Sequence, residues 1–131
     1  MKFKKKINTW IFDLDNTLYS ADSGIFQQVH KLMGKFIAEN LNMDLPDAKK
    51  LQTKYYKQHG TTLRGLMDNH GVDPDFFLKE VHKLNYSIVG PNEGLNTELK
   101  KLEGRKLIYT NANKQHVIDV LDRINLTNFF D

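Results

Sequence analysis

Apolar residues are spaced in two different ways along this chain, and the change of spacing predicts its secondary structure. An uninterrupted apolar run, Trp10-Ile11-Phe12, is typical of a buried strand, so we predict a strand over residues 7 to 13. A second such run, Leu107-Ile108-Tyr109, predicts a strand over residues 106 to 110. Continuous apolar strands of this kind are typical of parallel sheets, in which the carboxyl ends of the strands carry the chemistry.

Between the two predicted strands, apolar residues recur at about 3.6-residue spacing, which predicts helices. The first helix has one long apolar stripe and is predicted to begin at an N-cap, Asp22 or Ser23. The residues of this stripe are Ile25, Phe26, Val29, Leu32, Met33, Phe36, Ile37 and Leu41. Three shorter helices are predicted to begin at Asp44, at Thr61 or Thr62, and at Asp73. The apolar positions of the last helix are Phe76, Phe77, Val81 and Leu84.

The predicted elements divide the chain into a core that is interrupted once. Gly90-Pro91 marks the end of the helical insertion, and a helix ending at Gly104 leads into the second strand. We therefore predict core residues 1–20, a helical domain over 21–90 and further core residues 91–131. This order predicts an α/β fold with a parallel sheet and an inserted all-helical domain.

Composition narrows the class of protein without identifying it. The chain has 131 residues, 40% of them hydrophobic, which fits one compact unit with a small subdomain. No apolar run approaches the roughly 18 residues of a membrane helix, so a membrane partner is not expected. The basic segment Met1–Lys6 is not followed by the long apolar stretch of a signal peptide. The chain has no cysteine, which fits a reducing compartment, so we expect a cytoplasmic protein.

The net charge of +3 is modest, and four of the 19 basic residues fall within the first six positions. A nucleic-acid partner is not expected, because no long basic stripe interleaved with aromatic residues is present. The five histidines have no convincing metal-ligand spacing, and we predict that they lie at the surface or at helix ends.

Two acids, Asp13 and Asp15, directly follow the first predicted strand. Their spacing sends both side chains to the same side of an extended backbone, with Cα atoms roughly 6.5 Å apart. Two like charges at this distance favour either a retained proton or a cation between them. A nucleophilic carboxylate beside a carboxylic acid, around a hard ion such as Mg²⁺, would be useful chemistry. An ordinary turn after a strand is the alternative.

The run from Phe12 to Tyr19, Phe-Asp-Leu-Asp-Asn-Thr-Leu-Tyr, resembles the first motif of the haloacid dehalogenase superfamily. Its Asn-Thr-Leu-Tyr ending is similar to the pyrimidine 5'-nucleotidase-like branch. The resemblance implies that Asp13 is the nucleophile, that Asp15 is the general acid and base, and that Thr17 fixes the loop. It also implies a Mg²⁺ ion held by Asp13 and by the main-chain carbonyl of Asp15.

A second match lies at residues 107–112, Leu-Ile-Tyr-Thr-Asn-Ala, which resembles the second motif of the superfamily. The resemblance implies that Thr110, together with Asn111, binds the phosphoryl group. Residues 60–66 are similar to a segment of the helical cap, where Arg64 is a candidate substrate contact or, alternatively, an ordinary surface arginine. Residues 116–131 are similar to the helix and turn that follow the second motif.

The implied activity is Mg²⁺-dependent hydrolysis of a phosphate ester through a phosphoaspartate, with a nucleoside monophosphate or another small phosphate ester as substrate. The third and fourth motifs of the superfamily, a lysine and one or two further acids, are not found in the 131 residues. A catalytically impaired fragment that acts as a binding or interaction protein is therefore the alternative. With only two predicted strands, we expect both sheet edges to be bare, which favours association between copies.

Overall fold

The computed structural model describes residues 6 to 131, and most of the basic N-terminal segment lies outside this range. The described residues form two compact units. The first, called here the strand unit, consists of Met1–Gly24, described from residue 6 onward, and Tyr86–Asp131. The second, called here the helical unit, consists of Ile25–Asn85. Within residues 6 to 131, no helix has the length and apolar character that a bilayer crossing requires.

The strand unit contains two short parallel strands, β1 (Thr9–Phe12) and β2 (Arg105–Ile108), in which Thr9 pairs with Arg105 and Phe12 with Ile108. Both strands are shorter than predicted. The unit also contains 3₁₀ turns at Ala21–Ser23 and Tyr86–Ile88 and the helices α5 (Glu93–Lys100) and α6 (Lys114–Arg123).

The two strands begin to pair where the backbone of Gly104 lies close to that of Asn8. Gly104 has φ 106°, and a Cβ atom there would lie 2.6 Å from the carbonyl oxygen of Asn8. The next amide, that of Arg105, donates to this same oxygen at 2.9 Å. A residue other than glycine would therefore disturb the start of the sheet.

The outer edge of β2 is partly occupied, so the prediction of two bare edges is wrong on this side. The amide of Asp131 donates to the carbonyl oxygen of Lys106 at 2.8 Å, and the Asp131 carboxylate accepts from the Lys106 amide at 3.0 Å. Ile11 on β1 remains 69% exposed.

The helical unit consists of α1 (Ile25–Asn40), α2 (Leu45–His59), α3 (Thr62–His70) and α4 (Pro74–Val81). The predicted caps are confirmed for the last three helices, where the side chains of Asp44, Thr61 and Asp73 accept from nearby main-chain amides. The buried core of this unit consists of Phe36, Ile37, Ala48, Tyr55, Leu66, Phe77 and Val81.

Three predictions for the helices are wrong. Helix α1 does not begin at Asp22 or Ser23, because both belong to a 3₁₀ turn that ends at Gly24 with φ 97°. Phe26 and Phe76, predicted on apolar stripes, are 44% and 45% exposed. Each lies at the margin of its stripe, where the buried face gives way to solvent.

The observed elements confirm the predicted fold class, α/β with a parallel strand pair and an inserted all-helical segment. The helical unit consists of Ile25–Asn85, whereas the predicted helical domain covered residues 21 to 90.

Candidate active site

The two acids lie in a turn that leaves the carboxyl end of β1. The amides of Thr17 and Leu18 both donate to the carbonyl oxygen of Leu14, at 3.2 and 3.0 Å, and Asn16 has φ 60°. Leu14 and Leu18 are 0% and 4% exposed, so their burial anchors the turn. The acidic side chains flank Leu14 and are therefore presented by a fixed loop rather than by an extended strand.

Asp13 is exposed, and the hydrogen bonds found for its carboxylate within residues 6 to 131 come from its own loop. Its Oδ1 accepts from the amide of Leu14 at 2.9 Å. Its Oδ2 accepts from the hydroxyl of Thr17 at 3.3 Å, which agrees with the loop-fixing role implied for Thr17. A solvent-facing carboxylate at the end of a parallel strand is accessible to a substrate.

Asp15 has a different environment, although it lies only two residues further on. Its Oδ1 accepts from the hydroxyl of Tyr19 at 2.5 Å and contacts Nε2 of His116 at 2.7 Å. His116 is 1% exposed, whereas the Asp15 side chain is 29% exposed. Asp15 is thus tied to a buried group that is 101 residues away in sequence.

Tyr19, which contacts Asp15, and Tyr86, which contacts His116, keep their protons. Burial, followed by the hydrogen bond to Asp15 and its charge, raises the pKa of Tyr19 far above its ordinary value. Burial, followed by the negative charges of Asp119 and Asp15, also raises the pKa of Tyr86 strongly. Both hydroxyls therefore stay protonated at neutral pH, and that of Tyr19 donates to Asp15.

Thr110 and Asn111 follow the carboxyl end of β2, at the end of the sheet where the two acids follow β1. Phe12 pairs with Ile108, and the amide of Tyr109 donates to the carbonyl oxygen of Phe12 at 2.9 Å. The half-buried Thr110 accepts at Oγ1 from the amide of Ala112 at 3.1 Å, and Asn111 is exposed. The structure therefore brings Thr110 and Asn111 to the strand ends that also carry the two acids.

Arg64 belongs to α3 of the helical unit. Its Nε is 3.3 Å from Oδ1 of Asp68 on the same helix, and its side chain is 62% exposed. The local geometry is that of an i, i+4 ion pair, and a substrate contact for Arg64 stays a prediction.

The donor atoms of this site partly fit a magnesium ion. Asp13 offers an exposed carboxylate, and Mg²⁺ in proteins commonly takes one or two carboxylates together with waters and substrate phosphate. Among residues 6 to 131, no group of three His, Cys, Asp or Glu side chains converges on a metal position. A magnesium ion here would be held by Asp13, the main-chain carbonyl of Asp15, water and phosphate.

His116 lies in the first turn of α6, which agrees with the prediction that the histidines lie at the surface or at helix ends, but its side chain is buried rather than at the surface. Helical spacing could have revealed this, because His116 lies one turn before Val120, a 0% exposed residue of the same helix. Tyr86 carried no comparable signal, since it lies in an isolated 3₁₀ turn.

Comparison with known families identifies the chain. Residues 10–131 match the model of the haloacid dehalogenase-like hydrolases. The chain belongs to this family. The strand unit then corresponds to part of the Rossmann-like core of a haloacid dehalogenase-like hydrolase, and the helical unit to its cap.

A curated relative is the "Phosphate metabolism protein 8" of Saccharomyces cerevisiae, which is 26% identical over 133 residues. The match covers 93% of this chain and 41% of the yeast protein. The chain therefore spans less than half the length of this yeast relative.

Proposed function

We propose that this haloacid dehalogenase-like chain acts in the hydrolysis of phosphate monoesters, with Asp13 as nucleophile. One observation carries the proposal. An exposed carboxylate, Asp13, and a second carboxylate held by hydrogen bonds, Asp15, share one loop at the strand ends where Thr110 also lies. Two carboxylates in distinct environments suit one nucleophile and one proton-transfer group.

In the proposed reaction, an Asp13 oxygen attacks phosphorus and the bond from phosphorus to the ester oxygen breaks. Asp15 gives its proton to the departing alkoxide, which leaves as an alcohol, and the phosphoryl group stays on Asp13. Asp15 then takes a proton from water, the water oxygen attacks phosphorus, and the bond to Asp13 breaks. The products are alcohol and phosphate, and both carboxyl groups return to their starting states.

Charge on the phosphoryl oxygens must be neutralised during transfer, which is commonly the largest contribution to catalysis. We assign Thr110 and Asn111 to phosphoryl binding. Bound Mg²⁺, held by Asp13 and the carbonyl of Asp15, would supply positive charge at these oxygens.

We further propose that the substrate is a nucleoside monophosphate or another small phosphate ester. The support is the Asn-Thr-Leu-Tyr ending of the first motif, which is similar to the pyrimidine 5'-nucleotidase-like branch. The name of the yeast relative also refers to phosphate metabolism. In this proposal Arg64 contributes to substrate binding by the cap.

Phosphate release by the purified 131-residue chain tests the proposal. The substrates are p-nitrophenyl phosphate and a panel of nucleoside monophosphates, each assayed with Mg²⁺ and with EDTA. We expect metal-dependent turnover that falls below detection in Asp13→Asn. Asp22→Asn, which changes an exposed acid in the 3₁₀ turn that follows the acidic loop, is the matched control and keeps its activity.

A second readout needs no turnover. Beryllofluoride forms a stable adduct with aspartate nucleophiles, so ¹⁹F NMR should show a bound signal that requires Mg²⁺ and disappears in Asp13→Asn. An adduct without phosphate release would favour the binding-protein alternative. A folded chain with neither adduct nor turnover would contradict the assignment of Asp13.

A further inference from the structure

The Asp15 carboxylate is held by Tyr19 from its own loop and also by a residue of α6, His116. His116 Nε2 lies 2.7 Å from Asp15 Oδ1, and the second ring nitrogen, Nδ1, lies 2.7 Å from the hydroxyl of Tyr86. Asp15, His116 and Tyr86 thus form a continuous chain of hydrogen bonds. Tyr19 joins it by donating to Asp15 from a different direction.

One direction of donation is compatible with both of these hydrogen bonds. Tyr86 keeps its proton, because burial and nearby negative charge raise its pKa, and its hydroxyl can therefore donate to Nδ1 of His116. A ring that accepts at Nδ1 carries its hydrogen on Nε2 and donates it to Asp15. The arrangement with hydrogen on Nε2 therefore fits both contacts of the His116 ring.

Local structure holds His116 and Tyr86 in place. The amide of His116 donates to the side chain of the N-cap residue Asn113 at 2.8 Å, which fixes the first turn of α6. From the last turn of α6, the Arg123 guanidinium donates to the carbonyl oxygens of Tyr86, Ser87 and Val89 at 3.1 to 3.2 Å. Helix α6 therefore carries His116 and also anchors the turn that carries Tyr86.

We propose that His116 and Tyr86 are positioning residues, which hold the Asp15 carboxylate in the orientation for proton transfer to the leaving group. The inference rests on the proposed function, since it assigns Asp15 the role of general acid. A proton donor displaced by about 1 Å can cost about 10²-fold in rate, and loss of a supporting hydrogen bond about 10–100-fold.

Leaving-group dependence separates positioning from a general structural role. The p-nitrophenolate ion leaves without protonation, whereas the alkoxide of a nucleoside monophosphate requires a proton. We expect Tyr86→Phe and His116→Leu to lower kcat/KM for the nucleoside monophosphate about 10–100-fold and that for p-nitrophenyl phosphate less than threefold. His116→Gln, whose amide can donate from a similar position, should recover part of the loss.

Tyr56→Phe is the matched control for the loss of a hydroxyl, because Tyr56 is 64% exposed on α2. This variant should leave kcat/KM for both substrates unchanged. Equal losses for the two substrates in Tyr86→Phe and His116→Leu would overturn the positioning role, and so would no loss in either variant.

The tautomer of His116 gives a readout that is independent of turnover. In a ¹⁵N–¹H correlation spectrum of the histidine rings at pH 7.5, we expect His116 to be protonated at Nε2 and not at Nδ1, and Tyr86→Phe to shift the Nδ1 resonance. A hydrogen on Nδ1 would overturn the assignment, because Tyr86 would then be the acceptor. Should the chain release no phosphate, the hydrolysis is contradicted, while the spectrum still decides whether Tyr86 and His116 hold Asp15 as described.

Discussion

The helical unit and the strand unit use their buried polar side chains differently. In the helical unit, the buried Gln52 and Thr62 donate to main-chain carbonyl oxygens. The helical unit is built on a continuous apolar core, in which Ile37, Leu66, Phe77 and Val81 are all 0% exposed. The strand unit has buried apolar residues as well, but it also buries His116 against Asp15 and leaves Ile11 and Tyr109 69% and 76% exposed. The buried polar side chains of the helical unit thus satisfy main-chain groups, whereas the buried His116 of the strand unit contacts a carboxylate where the candidate chemistry lies.

The largest expected effect lies in the apolar core of the helical unit. Phe77→Ala removes a fully buried ring that packs edge-on against Phe36, with 5.0 Å between the ring centroids. We expect this change to lower the free energy of unfolding by about 3–5 kcal/mol. Phe76→Ala, at the exposed neighbouring position, is the control and should cost much less. Urea unfolding followed by circular dichroism measures both. Equal costs would mean that the two phenylalanines are not buried differently.

A glycine pair tests how closely the helices pack. A Cβ atom at Gly65 would lie 2.4 Å from the Tyr55 side chain, so Gly65→Ala should cost about 1–3 kcal/mol through overpacking. A Cβ atom at Gly34 would meet its neighbours at 3.4 to 3.6 Å, so Gly34→Ala should be neutral or stabilising by up to about 1 kcal/mol. Thermal melts of the two variants compare them directly. A neutral Gly65→Ala would contradict the close approach of α2 and α3.

Alkaline pH should act on the strand unit through its tyrosines. Tyr19 and Tyr86 have raised pKa values in the folded chain and an ordinary value of about 10 when unfolded. The unfolded chain therefore loses these protons first, so their contribution is complete below about pH 10 and declines as pH rises further. The decline is at most about 1.4 kcal/mol per pH unit for each tyrosine, and less for the partly exposed Tyr86.

Urea unfolding between pH 8 and pH 11 measures this decline. Tyr19→Phe should flatten it, whereas Tyr56→Phe at an exposed position should not. Identical slopes in the native chain and in Tyr19→Phe would contradict the burial of the Tyr19 hydroxyl beside Asp15.

The smallest expected change in stability concerns the exposed side of the sheet. Ile11→Thr keeps a β-branched residue in β1 and should change the free energy of unfolding by no more than about 0.5 kcal/mol. Association between copies, predicted from the short sheet, should weaken in this variant, which light scattering over a concentration series would detect. A native chain that remains monomeric throughout would contradict that association.

Much of the helical unit could be predicted because its signals are local. The caps at Asp44, Thr61 and Asp73 are hydrogen bonds to amides two or three residues further along the chain. The beginning of α1 was missed because Ser20 caps a short 3₁₀ turn, and Gly24 then redirects the chain. A hydrophobic pattern alone does not show whether these residues form a separate 3₁₀ turn or the first turn of α1.

For the candidate site, apolar runs and short motifs were enough to predict that Asp13 and Asp15 follow one strand and that Thr110 and Asn111 follow a parallel one, because such local patterns encode strand ends. The different partners of the two acids could not be predicted in this way, because they depend on tertiary contacts. The hydrogen bonds from Asp15 to His116 and from His116 to Tyr86 span 101 and 30 residues. Such contacts depend on how α6 packs within the strand unit, and no local spacing encodes that packing.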